Sequence, residues 1–136
     1  MRFLSAIFLA ASLFFPGSAA AKLAASVDEF IEAIQRSITG PQPFMQFDKV
    51  VDPKRLHEAP VSSIKELLRK EFRGEKPQFD VLYRNRDSDV AETIIGTIWA
   101  GDRYFFLAFV LHSRPEGWLA ISMSMQSRYE KVLKYR

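Results

Sequence analysis

Residues 90–126 read VAETIIGTIWAGDRYFFLAFVLHSRPEGWLAISMSMQ. Apolar, β-branched and aromatic residues fill three runs, parted by Gly101-Asp102 and by Ser113-Arg-Pro-Glu-Gly117. This is strand composition with hairpin punctuation. Strands are expected at 90–99, 103–112 and 117–126, with a fourth ahead of them at 78–83, after Pro77 and before a polar loop from Arg84 to Asp89. Loops this short join antiparallel neighbours, so the four strands form a meander.

The turns also set an expected register. A two-residue turn at Gly101-Asp102 places Ile98 opposite Phe105, Gly96 opposite Leu107 and Ile94 opposite Phe109. If Leu111 then aligns with Leu119, Phe109 meets Ile121, Leu107 meets Met123 and Phe105 meets Met125. One face is apolar throughout and calls for a covering layer. The other carries Thr93, Ile95, Thr97, Trp99, Tyr104, Phe106, Ala108, Val110, His112, Trp118, Ala120, Ser122, Ser124 and Gln126, and is more apolar than a solvent face requires.

Two helices upstream supply the cover. Ser26-Val-Asp-Glu29 has the form of a capping box, and Val27, Phe30, Ile31, Ile34 and Ile38 follow helical spacing before Gly40-Pro41, which predicts a helix over 27–38. Ser63-Ile-Lys-Glu66 has the same form; with Leu67, Leu68 and Phe72 and the stop at Gly74 it predicts a second helix over 64–73. Between them, Pro41, Pro43, Pro53 and Pro60 allow one short helix or strand at most, so 41–60 is a covering segment. The tail 128–136 suits either an extension of the last strand or a helical turn. The fold class is α+β, with N-terminal helices on the concave face of a curved antiparallel meander of about four strands.

Helices followed by such a meander resemble the nuclear transport factor 2-like superfamily of α+β cones. The runs Ser63-Ile-Lys-Glu-Leu-Leu-Arg-Lys-Glu-Phe72, Pro77-Gln-Phe-Asp-Val81, Ile94-Ile-Gly-Thr-Ile98, Arg103-Tyr-Phe-Phe-Leu107 and Gly117-Trp-Leu119 are similar to small exported members of unknown function. The resemblance spans residues 26–126 and rests on hydrophobic spacing and turn glycines. It implies a cone that often pairs as a dimer through its sheet. The enzymes of that superfamily place Asp, His and Tyr between sheet and helices, a pattern with no residue-by-residue match here. That counts against catalysis.

The first residues point to export. Met1-Arg2, the apolar run from Phe3 to Phe15, then Pro16-Gly17 and the small residues Ser18 to Ala21 have the three parts of a secretory signal. A signal peptide over 1–21 would leave a single domain over 22–136; a buried N-terminal helix and a retained anchor are the alternatives. Cleavage removes Arg2 and lowers the net charge from +3 to +2, too balanced for a nucleic-acid or polybasic membrane partner. After it, no apolar segment is long enough to anchor the chain in a bilayer. The 136 residues include no cysteine, which excludes disulfides, thiolate ligands and a cysteine nucleophile. The only asparagine, Asn85, lies outside any glycosylation sequon. Both traits suit a bacterial periplasmic or secreted protein.

Few residues carry chemistry. Glu92 is expected on the core face opposite Leu111, where a desolvated carboxylate would serve as a general base; the competing placement is a strand-edge acid that reaches solvent or a helix-borne Arg or Lys. His112 and Trp118 suggest a stacking site for a planar ligand. With Trp99, Tyr104 and Phe106 they make up the candidate ligand or partner surface. His57 and His112 are far apart, with no carboxylate at ligand spacing, so no metal is expected. Asp48, Asp52 and Asp80 would make a carboxylate site only if folding gathers them. No phosphate loop or nucleophile elbow appears, and no cofactor is implied. A cystatin-type inhibitor would need a Gln-x-Val-x-Gly loop, which is absent. Two functions follow: a cell-envelope binding module that holds a second copy, a protein partner or a small hydrophobic ligand; or an isomerase, dehydratase or cyclase using a pocket carboxylate.

Overall fold

The first helix begins where its cap is expected. In the structure, a computed structural model that describes residues 23–51 and 61–133, α1 spans Val27–Thr39. Ser26 Oγ accepts from the Glu29 amide at 3.1 Å, while Glu29 Oε2 reaches one residue further back than expected and accepts from the Ala25 amide at 2.7 Å. Val27, Phe30, Ile34 and Ile38 form the buried stripe.

Of the covering segment, the described part contains one short helix, α2 at Phe47–Val50, and drives Phe44, Phe47 and Val51 into the core. Phe44 holds a left-handed backbone with φ 67°, uncommon for a large residue. Its buried ring packs at 5.9 Å from Phe72, and its amide donates to Ser37 O at 2.7 Å.

The third helix, α3, spans Val61–Glu71. Ser63 therefore lies inside it and is not its cap. Starting at or before Val61 puts that residue on the same buried stripe as Ile64 and Leu68, and burial of a valine outweighs the cap at Ser63. Lys65 Nζ reaches Asp48 Oδ1 at 3.0 Å and ties α3 to α2.

Four strands follow as an open antiparallel sheet in the order β1 (Gln78–Ser88), β2 (Ala91–Ala100), β3 (Arg103–Arg114) and β4 (Gly117–Gln126). In the described part of the tail a short helix follows, α4 at Tyr129–Val132. The stretch Arg84 to Ser88, expected as a loop, continues β1: two irregularities, after Val81 and after Arg86, let the polar residues keep pairing with β2. An edge strand rich in charge is a common defence against unwanted pairing.

Between β2 and β3 the register is the expected one, with Ile94 opposite Phe109, Gly96 opposite Leu107 and Ile98 opposite Phe105. Gly96 is required there, because a Cβ would sit 2.4 Å from the buried Phe79 ring.

The β3–β4 register is not the expected one. The strands run on to Arg114 and Gly117, so Leu111 pairs with Ala120, not Leu119. A bulge after Val110 leaves Ile121 as the extra residue, and Phe109 then meets Met123 in place of Ile121. A one-residue slip reverses faces and the bulge restores them. Trp118 and Ala120 therefore join the helix-side cluster, while Ser122, Ser124 and Gln126 keep their outer-face positions.

The helix-side core includes Ile94, Ile98, Leu107, Phe109 and Leu111, each at most 1% exposed, with Phe30 edge-on to Phe109 at 5.4 Å. A smaller cluster on the outer face holds Ile95 and Ala108 beneath Tyr83, Phe106 and Tyr129.

Candidate functional site

Three places gather the chemistry-bearing residues: an ion-paired bridge on the helix side, the outer sheet face, and a cleft beside β4.

The bridge centres on Arg84. Glu92 sits opposite Leu111 as expected and is 8% exposed. Its carboxylate is engaged: Oε2 accepts from Arg84 Nε at 3.0 Å, and Arg84 Nη1 also donates to Asp28 in the first turn of α1. The Asp28 carboxylate, more than Glu92, holds the Arg84 guanidinium above its ordinary pKa, against the lowering effect of partial burial. This arrangement clamps α1 to β1 and β2. The competing placement is met in one respect, since a basic side chain holds Glu92, but that side chain is borne by β1 and not by a helix, and Glu92 is buried on the inner strand β2. Arg84 was missed because it fell in an expected loop; once β1 is extended, Arg86 lies across from Glu92 and Arg84 two residues away.

On the outer face, Trp99 and Tyr104 stack with ring centres 6.3 Å apart and planes at 18°. Trp99 Nε1 donates to Asp80 Oδ2 at 2.6 Å, which fixes the indole at the end of the β2–β3 hairpin. Phe106 meets Tyr129 of α4 at 5.4 Å. Tyr129 and Tyr83 close over Ile95 and Ala108, so the open apolar area is smaller than strand alternation alone predicts. Val110 and His112 are half-buried, and Tyr104 is 49% exposed. The Nδ1 atom of His112 is buried without a hydrogen-bond partner. From Thr93 to Trp99, from Tyr104 to His112 and from Ser122 to Gln126, the outward positions carry no charged side chain. The charges of that face lie at its margins, at Asp80 and Asp87 on β1 and at Arg114 on the end of β3, and Asp87 is engaged by Thr93 Oγ1 at 2.6 Å. Trp118 does not share this patch.

Trp118 instead lines a cleft of about 230 Å³ between α1, α2 and the start of β4, with Glu29, Ala33, Arg36, Lys49 and Val50 among its walls. The N-terminal segment closes one side. Trp118 N donates to Ala24 O at 2.8 Å in an isolated antiparallel bridge. Gly117, with φ 136°, makes room for this crossing, since a Cβ would lie 2.6 Å from Ala24 O.

The remaining candidates do not converge. Asp48 pairs with Lys65 and Asp80 with Trp99, whereas Asp52 and His57 lie outside the described residues. Among the described residues no group of three His, Asp or Glu could hold a metal ion, and no helix is long and apolar enough to cross a membrane.

No protein-family model matches the chain, and no curated protein does. Among solved structures the chain is similar to one from Xanthomonas campestris described as a calcium/calmodulin dependent protein kinase II association domain. The two are 18% identical, with a TM-score of 0.49 over 76% of this chain and 86% of that one.

Proposed function

We propose that the chain is an exported association module of the cell envelope, a cone of the nuclear transport factor 2-like type that pairs with a second copy of itself through the outer face of its sheet. The observation that carries this reading is the charge-free run of outward positions on β2, β3 and β4, with Trp99, Tyr104, Phe106 and Val110 among threonines and serines. Depletion of charge with retention of aromatics is the composition of an interface core.

The absence of charge also favours a second copy as the occupant. In a two-fold pairing each residue lies near its own equivalent, so any charge near the axis would face a like charge. A neutral face meets itself without that cost. Ser122, Ser124 and Gln126 supply polar groups for such a contact, whereas Thr97 is buried and its Oγ1 donates to Phe105 O. For the catalytic alternative, Glu92 is held by Arg84 and does not line the cleft beside β4.

Sedimentation velocity over a concentration series tests the pairing. The wild-type chain is expected to pass from monomer to dimer. Ser122→Arg and Tyr104→Arg each put a charge at an exposed position of the face and should weaken association at least tenfold with the circular-dichroism spectrum unchanged. Wild-type protein that stays at monomer mass up to its solubility limit, or variants that pair as well as wild type, would overturn the proposal. Export has its own test. N-terminal sequencing of envelope material should begin within two residues of Lys22, just ahead of the Ala24 bridge to Trp118.

A further inference from the structure

The cleft beside β4 has a composition that the sheet-face reading does not use. Its charged lining groups are Glu29, Arg36 and Lys49. Glu29 is committed to the Ala25 amide at the start of α1. Arg36 and Lys49, both exposed, have no hydrogen-bond or ion-pair partner for their side chains among the described residues. Two unpaired cations thus share one recess with a single engaged carboxylate. The rest of the lining is largely apolar, with Trp118, Val50 and Ala33 each partly buried. Arg36 stands where this cleft meets two shallower depressions along α1 and α2, so a ligand can approach it from outside while its body lies against the indole.

We infer that this cleft binds a small carboxylate with an apolar body, the carboxylate accepting from Arg36 and Lys49 and the hydrocarbon resting on Trp118 and Val50. The chemistry selects this class. Guanidinium and ammonium groups beside an apolar wall favour an anionic oxygen acceptor, and Arg offers a fork that matches a carboxylate. The apolar wall gains by covering hydrocarbon and gives nothing to a fully hydrated ion. At about 230 Å³ the space lies below the usual range for drug-sized ligands and suits a short chain. The helix-side core next to it is filled by Phe30, Phe109 and Leu111, so the ligand lies outside that core and leaves the packing between helices and sheet intact.

Titration of the purified chain with octanoate, followed by calorimetry, tests the inference, with octan-1-ol and acetate as partners lacking one half of the chemistry. Octanoate is expected to bind at one site, and at least tenfold tighter than either control. Arg36→Gln and Lys49→Gln should each weaken it about tenfold and reduce its dependence on salt, as loss of a charged hydrogen bond requires. Trp118→Ala should weaken octanoate and octan-1-ol alike. Tyr104→Arg on the opposite face should leave octanoate affinity unchanged, which separates this site from the association surface. Equal affinity for octanoate and octan-1-ol, wild-type affinity in both cation variants, or no binding of octanoate would overturn it.

Discussion

Along β3 the two faces of the sheet diverge residue by residue. Leu107, Phe109 and Leu111 are at most 1% exposed beneath the helices, whereas Phe106, Val110 and His112, their immediate neighbours, are half-buried and Tyr104 is 49% exposed. The helix side is closed by three independent elements, α1, the covering segment and α3, each placing aromatic or branched side chains into one cluster. Among the described residues the outer side is closed over Thr93, Ile95, Thr97 and Ala108, each at most 5% exposed and with Tyr83 and Tyr129 packed on Ile95 and Ala108, and it stays open at Tyr104 and Ser122. One face is finished by the chain itself. Among the described residues the other is covered less completely, with Tyr104 49% exposed, and the proposed pairing rests on that difference.

The largest effect separating the faces should come from Phe109→Ala. Its ring is packed edge-on against Phe30 in the most enclosed part of the core, and its loss should cost about 3–5 kcal/mol in a denaturant melt. A loss near 1 kcal/mol would mean that the helix side is no better packed than the outer face.

A smaller effect is expected at the clamp. Arg84→Met strands the Glu92 carboxylate, which is 8% exposed, and should cost about 1.5–3 kcal/mol; adding Glu92→Leu should restore part of that by removing the buried charge. If the double variant is as unstable as the sum of the singles, Arg84 and Glu92 do not act together.

Smallest is Tyr104→Ser. It removes one ring of the exposed stack with Trp99 and should cost about 0.5–1.5 kcal/mol in monomer stability while weakening association. A loss as large as that of Phe109→Ala would erase the distinction between the faces.

Most of the architecture was legible because local rules coincide with global ones. The Gly101-Asp102 turn leaves two residues between strands and so pins the β2–β3 register. Ser26 caps α1 because nothing downstream competes with it. At Ser63 the same motif failed, since an equally good helical stripe reaches back to Val61. The β3–β4 pairing failed for a different reason: Ile121 looks like any core isoleucine, and nothing local marks it as the bulged residue that moves Trp118 across the sheet. Of the candidate surface, Trp99, Tyr104 and Phe106 followed from alternation. The pairing of Arg84 with Glu92 and the meeting of Arg36, Lys49 and Trp118 depend on which helix lies over which strand, and that contact is non-local.

The claim that the outer face is an association surface is tested most directly at Trp99, which reports from the face itself. In a Trp118→Phe background it is the sole indole, the chain having two tryptophans. Its quenching by acrylamide should be followed through the concentration range over which sedimentation detects dimer. The account predicts that quenching falls as dimer forms, with the same midpoint. A mass that doubles while Trp99 stays equally open to quencher would place the interface elsewhere and contradict it.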